Sequence, residues 1–384
     1  MKKQLLMVPG PTQVAPEVYQ KMISPMINHR GVEFEDAFGR VLAKLKRLIS
    51  SSGTPMLFPG SGTGALEAAA VNMVSPGEEV VAVSIGSFGK RFAEILKRHG
   101  ALVHYLEFPW GEQADPDEVR RFFAQRAGAT CCFLTHNETS TGAINDLKAL
   151  RQAVPEQVML VVDAVSSLGA VQINQDDWGI DVLASASQKA LMLPPGLAIV
   201  VASKRAMEKS KLVASHRYYW DFQLMKKFLD KPRPQTPYTP SVSLVLGLEA
   251  ALDLIEEEGY EAVYRRHQLI AKGVREGCRA AGLETLAPEH AASPTVTAIK
   301  APEGVEAGKI TSLVKRKYGV VLAGGQDHLE GKVFRIGHMG YVTWYDALAS
   351  VAAVEMAISE LGVPVQQGCA AQALQKVIME GWSK

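Results

Sequence analysis

Three features of this sequence have the residue types and spacing that covalent chemistry on a small molecule would need: a lysine among small and apolar residues, a carboxylate closing an apolar run, and a glycine-rich turn. Lys189 sits in Ser185-Ala-Ser-Gln-Lys-Ala-Leu-Met-Leu-Pro-Pro-Gly196. Loss of solvation in such a place lowers an amine's pKa and favours the free base that forms a Schiff base with a carbonyl. A lone lysine near a strand end is more often simply solvated. Asp163 closes the run Val161-Val-Asp-Ala-Val-Ser-Ser167. It can pair with a cation in a cleft, such as a protonated pyridine nitrogen, or cap the following helix. The stretch Phe58-Pro-Gly-Ser-Gly-Thr-Gly-Ala-Leu-Glu67 is a glycine-rich turn between a strand and a helix. Its backbone N–H groups can approach a phosphate at the positive helix end, with the Ser61 and Thr63 hydroxyls as added donors. Gly60, Gly62 and Ala65 also fit a dinucleotide-binding pattern with Glu78 or Glu79 as its acidic residue, and plain structural turns look similar. Turn, acid and lysine in that order are far more specific together than any one alone.

A fourth feature lies near the C-terminus. Arg335 in Phe334-Arg-Ile-Gly-His-Met-Gly340 can hold a substrate carboxylate in a two-pronged pair, or form an interdomain salt bridge. His338 beside it has no metal-ligand spacing and reads as structural.

The elements that must position these residues follow from the apolar pattern. Short apolar runs at Met56–Pro59, Glu79–Ile85, Ala101–Phe108, Thr130–Thr135, Val158–Asp163, Asp181–Ala184 and Leu197–Ala202 read as strands. Amphipathic stretches at Gly64–Val74, Phe88–His99, Pro116–Ala127 and Asn145–Ala153 separate most of them. This alternation predicts an α/β fold with a mostly parallel sheet, helices on both faces and ligands beyond the carboxyl ends of the strands. Arg217–Pro240, aromatic and proline-rich, reads as an ordered excursion. Helical patterns follow over Ser243–Glu258 and Tyr260–Ala281. Then come apolar runs at Thr295–Lys300 and Val333–Gly337 and a helix over Tyr345–Leu361, a set that suits a smaller α+β domain. The expected division is an N-terminal arm over 1–15, a large domain over 16–258 and a small domain over 259–384.

Composition excludes several classes. The chain has 384 residues, 47% of them hydrophobic, and a net charge of +1, with no clustered basic surface of the kind nucleic acid requires. The basic runs Lys226-Lys227 and Lys315-Arg316-Lys317 read as solvated helix faces. Cysteines 131, 132, 278 and 369 show no CxxC spacing, and the adjacent pair should point to opposite faces of a strand, so neither a metal site nor a disulfide framework is expected. Leu5-Leu6-Met7-Val8 is too short for a signal peptide and no segment suits a bilayer, which points to a cytoplasmic protein away from membranes.

With these residues in view, the chain resembles the class V aminotransferases of the alanine/serine–glyoxylate group, within the type I fold of pyridoxal-phosphate enzymes. The likeness runs from Val8-Pro-Gly-Pro-Thr12 to Arg335-Ile-Gly-His-Met-Gly340. Ser-Gln-Lys-Ala-Leu with Pro-Pro-Gly, and His136-Asn-Glu-Thr-Ser-Thr-Gly142, are specific for it. The resemblance implies a seven-stranded sheet, pyridoxal 5'-phosphate on Lys189, and Lys189 as the acid and base of the proton shift. It places Asp163 on the pyridine nitrogen, Phe88 and Val165 on the two ring faces and Thr139 near the ring hydroxyl. Ser61, Gly62, Thr63 and Gln188 would hold the phosphate, with Thr239 reaching it from the partner of a homodimer. Arg335 and Gly10 would contact the substrate. Some members have a tryptophan at Phe88, a histidine at Thr63 and a tyrosine at Thr236, so phosphate and stacking contacts differ in detail here.

The reaction so implied moves the amine of a small L-amino acid, alanine or serine, to glyoxylate or pyruvate. Alternatives are an aminophosphonate transaminase, a lyase or a desulfurase, and, outside this chemistry, a dinucleotide-binding redox subunit. A desulfurase needs a nucleophilic cysteine on the loop corresponding to Ala323–Glu330, which has none. Relatives labelled as soluble hydrogenase subunits exist, but this chain lacks the clustered cysteines of nickel or iron–sulfur centres. The N-terminal arm and the Arg217–Pro240 excursion are the parts expected to reach across the dimer.

Overall fold

The computed structural model describes residues 4–382. Each of the seven apolar runs of the N-terminal two thirds becomes one strand of a single sheet. Its spatial order is Thr54–Gly60, Gly196–Ala202, Val182–Ala186, Met159–Asp163, Cys131–Thr135, Glu79–Ser84 and Leu102–Glu107. Gly196–Ala202 runs antiparallel to both of its neighbours, and every other pair is parallel.

The central strands are continuous apolar runs because helices cover both faces of the sheet. Successive side chains alternate between faces. Cys131, Phe133, Met159 and Val161 enter one core with the helices Gly62–Met73 and Ser87–Arg98. Cys132, Leu134, Leu160 and Val162 enter the other with Val32–Leu48, Leu147–Ala153 and Val242–Glu258. The two adjacent cysteines thus point to opposite faces, as their spacing requires.

The C-terminal part builds a third core. A three-stranded antiparallel sheet places Val333–Gly337 between Val296–Lys300 and Ala323–Gly324. Helices Tyr260–Ala280, Trp344–Glu360 and Cys369–Trp382 pack with it around Ile270, Phe334, Ile336, Val351 and Leu374. Leu5–Leu6 pairs in parallel with Val320–Val321, and Met7 is buried in this same core. Residues 5–12 therefore dock on their own chain.

The Arg217–Pro240 excursion is ordered and contains a helix, Phe222–Leu229. Asn72 ties it to the helix Gly62–Met73, donating to Trp220 O at 2.7 Å and accepting from Phe222 N at 3.0 Å. Trp220 meets Phe58 edge-on with centroids 5.4 Å apart, and it lies so close to Gly64 that a Cβ there would approach it to 2.8 Å. The excursion thus backs the glycine turn. Among the described residues no helix is long and apolar enough to cross a membrane.

Candidate active site

Beyond the carboxyl ends of the parallel strands lies a cavity of about 200 Å³. Ser61, Gly62, Thr63, Phe88, Asp163, Val165, Gln188 and Lys189 line it, joined by Leu66 and Arg91. Eight residues singled out in the sequence thus meet at one place, although Lys189 lies 128 positions after Ser61.

The helix behind the turn begins at Gly62, two residues earlier than the sequence pattern suggests. Its N-cap, Ser61, makes no side-chain cap bond, and the first helical bond is Ala65 N to Ser61 O at 3.0 Å. The N–H groups of Gly62, Thr63 and Gly64 have no partner among the described residues, so a positive helix end with three free donors faces the cavity. A Cβ on Gly62 would come within 2.9 Å of Val165, which explains why glycine is needed there. Gln188 Oε1 is buried without a partner beside these groups.

Asp163 ends its strand 3% exposed. One carboxylate oxygen accepts from Val165 N at 2.9 Å, while the other has no partner among the described residues. A turn and no helix follows Asp163, so the helix-cap reading does not hold. Burial raises its pKa to about 7, against the pull of Lys189. Burial lowers the Lys189 amine to about 8; Arg335 pushes the same way and Asp163 opposes. Lys189 Nζ donates to the Pro9 carbonyl.

Arg335 lies in the middle of its strand, 7% exposed. Nε donates to Gly324 O at 2.8 Å, and Nη1 donates to Thr139 O at 2.9 Å and Gln326 Oε1 at 3.2 Å. No carboxylate pairs with it among the described residues, so the salt-bridge alternative is not realised. Carbonyl and amide oxygens aim the group and leave Nη2 free. Burial lowers its pKa to about 10. Thr139 acts here through its carbonyl and does not line the cavity. Thr239 is exposed and does not line the cavity of its own chain. Gly10 stands against Lys189 Nζ.

Two residues without a role in the sequence reading prove central. Glu138, fully buried, accepts from Phe88 N at 2.9 Å, Gly89 N at 3.2 Å, Ser140 N at 3.0 Å and Ser140 Oγ at 2.7 Å. It thereby caps the helix Ser87–Arg98, which has no cap of its own, and fixes Phe88. Burial raises its pKa while these four donors oppose the rise. A Cβ on Gly86 would reach Glu138 Cγ at 2.5 Å, so the glycine opens the path for the carboxylate. Arg91, one turn after Phe88, stacks its guanidinium 4.8 Å from that ring's centroid at the cavity wall. His338 is structural, as expected: it is buried, with Nε2 2.9 Å from Thr297 Oγ1.

The family model described as aminotransferase class-V matches residues 7–342. Among known proteins, the chain is 40% identical to a Synechococcus protein named soluble hydrogenase, small subunit, over 94% of each chain. It is 38% identical to an L-aspartate–glyoxylate aminotransferase of Paracoccus denitrificans, covering 97% of this chain and 95% of the relative. A serine–glyoxylate aminotransferase of Arabidopsis thaliana is 37% identical, with 94% and 92% covered. Among solved structures, pyridoxamine–pyruvate aminotransferase from Mesorhizobium loti superposes with a TM-score of 0.95 at 31% identity, covering 99% and 98% of the two chains. The motifs, the cavity and the whole-chain likeness agree: this chain belongs to the class V aminotransferases.

Proposed function

We propose that this transaminase carries pyridoxal 5'-phosphate on Lys189 and moves the amine of a small L-amino acid, alanine or serine, to glyoxylate or pyruvate. The observation that carries the reading is the meeting of Lys189, Asp163 and an uncapped helix end in one cavity. The residues fit the cofactor. Three free N–H groups, the Ser61 and Thr63 hydroxyls and the Gln188 side chain, which donates through Nε2, suit a phosphate. The unpartnered oxygen of Asp163 suits a pyridine N–H, and Phe88 and Val165 suit the two ring faces.

When bound, the cofactor supplies an electron sink for the donor's Cα–H bond. The chain supplies the rest. Arg335, aimed by Gly324, Thr139 and Gln326, binds the donor's α-carboxylate through its free Nη2. Lys189 Nζ, made a better free base by burial, takes the proton from Cα. Phe88 and Val165 exclude water from the ring faces. We place the enzyme in the cytoplasm as a homodimer, in which Ser61 and Thr63, exposed in the single chain, are covered by a partner carrying Thr239.

A dicarboxylic donor such as aspartate is a second reading. Arg91 favours it, as another cation on the cavity wall. A desulfurase is disfavoured, because the loop holding Arg335 carries Gly324 and Gln326 and no cysteine.

The test is the near-visible spectrum of the purified protein with single L-amino acids. Bleaching of the cofactor band by alanine or serine, and its return with glyoxylate or pyruvate, is the expected result. Bleaching by aspartate alone would select the second reading. Lys189→Ala should abolish turnover, and wild-type rates in that variant would refute the assignment.

A further inference from the structure

The segment Pro9–Thr12 touches the Lys189 turn at several points. Lys189 Nζ donates to Pro9 O. Thr12 Oγ1 donates to Lys189 O at 2.8 Å, and Thr12 N to Gln188 O at 3.2 Å. Between them, Gly10 has a φ of +123°, and a Cβ there would stand 2.5 Å from Nζ and 2.7 Å from Cδ of Lys189. Glycine is therefore required twice, by the backbone conformation and by the nearness of the amine. The same Lys189 carbonyl accepts from Met192 N at 3.0 Å, and Met192 holds a left-handed φ of 59°. A non-glycine residue persists in that region only where its surroundings over-determine it. The segment is itself anchored to the C-terminal core by Leu5–Leu6 pairing with Val320–Val321 and by Gly337 N donating to Met7 O at 2.9 Å.

We propose that Pro9–Thr12 is a cradle for the catalytic lysine: the Pro9 carbonyl receives the Lys189 amine whenever it is not joined to the cofactor, Gly10 leaves room for it, and Thr12 fixes its backbone. This rests on the reading of Lys189 as the cofactor-bearing residue. A neutral amine has two N–H bonds and one lone pair. Giving one N–H to Pro9 O restricts where that lone pair points and limits the wandering of a side chain with four rotatable bonds. The other charged groups acting on the amine are Asp163 and Glu138 on one side of the balance and Arg335 and Arg91 on the other. The Pro9 carbonyl is an uncharged contribution that the N-terminal arm adds to this set. Proline at position 9 has no N–H of its own, so it offers the amine an acceptor only.

The test follows the acylation of Lys189 by limiting acetic anhydride in the full-length apoprotein, read by peptide mass across pH. Loss of an acceptor that stabilises the ammonium should lower the amine's apparent pKa by about one unit in Gly10→Ala. Thr12→Val adds no bulk near the amine and should shift it the same way by a smaller amount. A folded Gly10→Ala protein with an unchanged or raised apparent pKa overturns the cradle. If Gly10→Ala does not fold, an unshifted Thr12→Val overturns it instead. Borohydride reduction of the wild-type protein loaded with pyridoxal phosphate separates this from failure of the underlying reading. Absence of added mass on Lys189 refutes the cofactor assignment, whereas added mass with unshifted variants refutes the cradle alone.

Discussion

Lys189 is surrounded by groups that decide at which pH its amine is free. Burial and the Arg335 charge lower its pKa to about 8, with Asp163 pulling the other way. Only the neutral amine attacks a carbonyl, so attachment of pyridoxal phosphate to the apoprotein should speed up about tenfold per pH unit below 8 and level off above it. An unperturbed lysine would keep gaining up to a pH of about 10.4. Stopped-flow absorbance measures this directly, and a rate still climbing tenfold per unit beyond pH 9 contradicts the environment described here. Lys189 and Asp163 were legible because each stands at the end of an apolar run, where a charged type is conspicuous. Arg91 and Glu138 were not. Arg91 looks like any solvated helix residue until its place one turn after Phe88 is known. Glu138 lay inside a motif whose chemistry resides in backbone N–H groups far away in sequence.

Those N–H groups belong to the helix Ser87–Arg98, where tertiary structure replaces a local signal. A helix usually satisfies its first donors with a side chain just before its start. Here Gly86 precedes the helix, and the cap arrives from Glu138. Glu138→Ala should therefore leave buried donors unpaired, lower stability by roughly 3 kcal/mol and loosen Phe88 at the cavity wall, where the proposed cofactor ring would stack. Urea denaturation of the apoprotein and titration with pyridoxal phosphate check the two consequences. A variant with unchanged midpoint and affinity would show that the helix does not depend on this carboxylate. The seven strands were readable because both of their faces are covered, which makes them continuous apolar runs. The helix Val32–Leu48 also carries a helical period in Phe34, Phe38, Val41, Leu45 and Leu48, although the alternating pattern that defined the sheet begins only after it. Phe222–Leu229 was hidden by the prolines that follow it, and its place depends on Asn72, 150 positions away from Phe222.

At the scale of the whole molecule, the cavity is built from one chain on its inner side and left open on its outer side. Ser61 and Thr63 are exposed there, and Thr239 stands outside the cavity of its own chain. Exposed apolar residues, Tyr19 at 50%, Ile23 at 82% and Met26 at 72%, are a further surface suited to a second copy. Residues 5–12 of the N-terminal arm are engaged within the chain, and Thr239 lies in the Arg217–Pro240 excursion, the part the proposed homodimer would use to reach its partner's cavity. A two-fold dimer makes this testable, because each site would combine Lys189 of one protomer with Thr239 of the other. If the proposed arrangement holds, Thr239→Asp would place a carboxylate against the phosphate and should inactivate the homodimer, as Lys189→Ala should. Mixed and refolded together, the two inactive chains form heterodimers in which one site has both an intact lysine and an intact threonine. Activity should return to about a quarter of the wild-type value at equal amounts, since about half the dimers are mixed and each has one competent site. If Thr239 serves its own chain, the lysine-bearing site keeps the aspartate in every mixture and no activity returns.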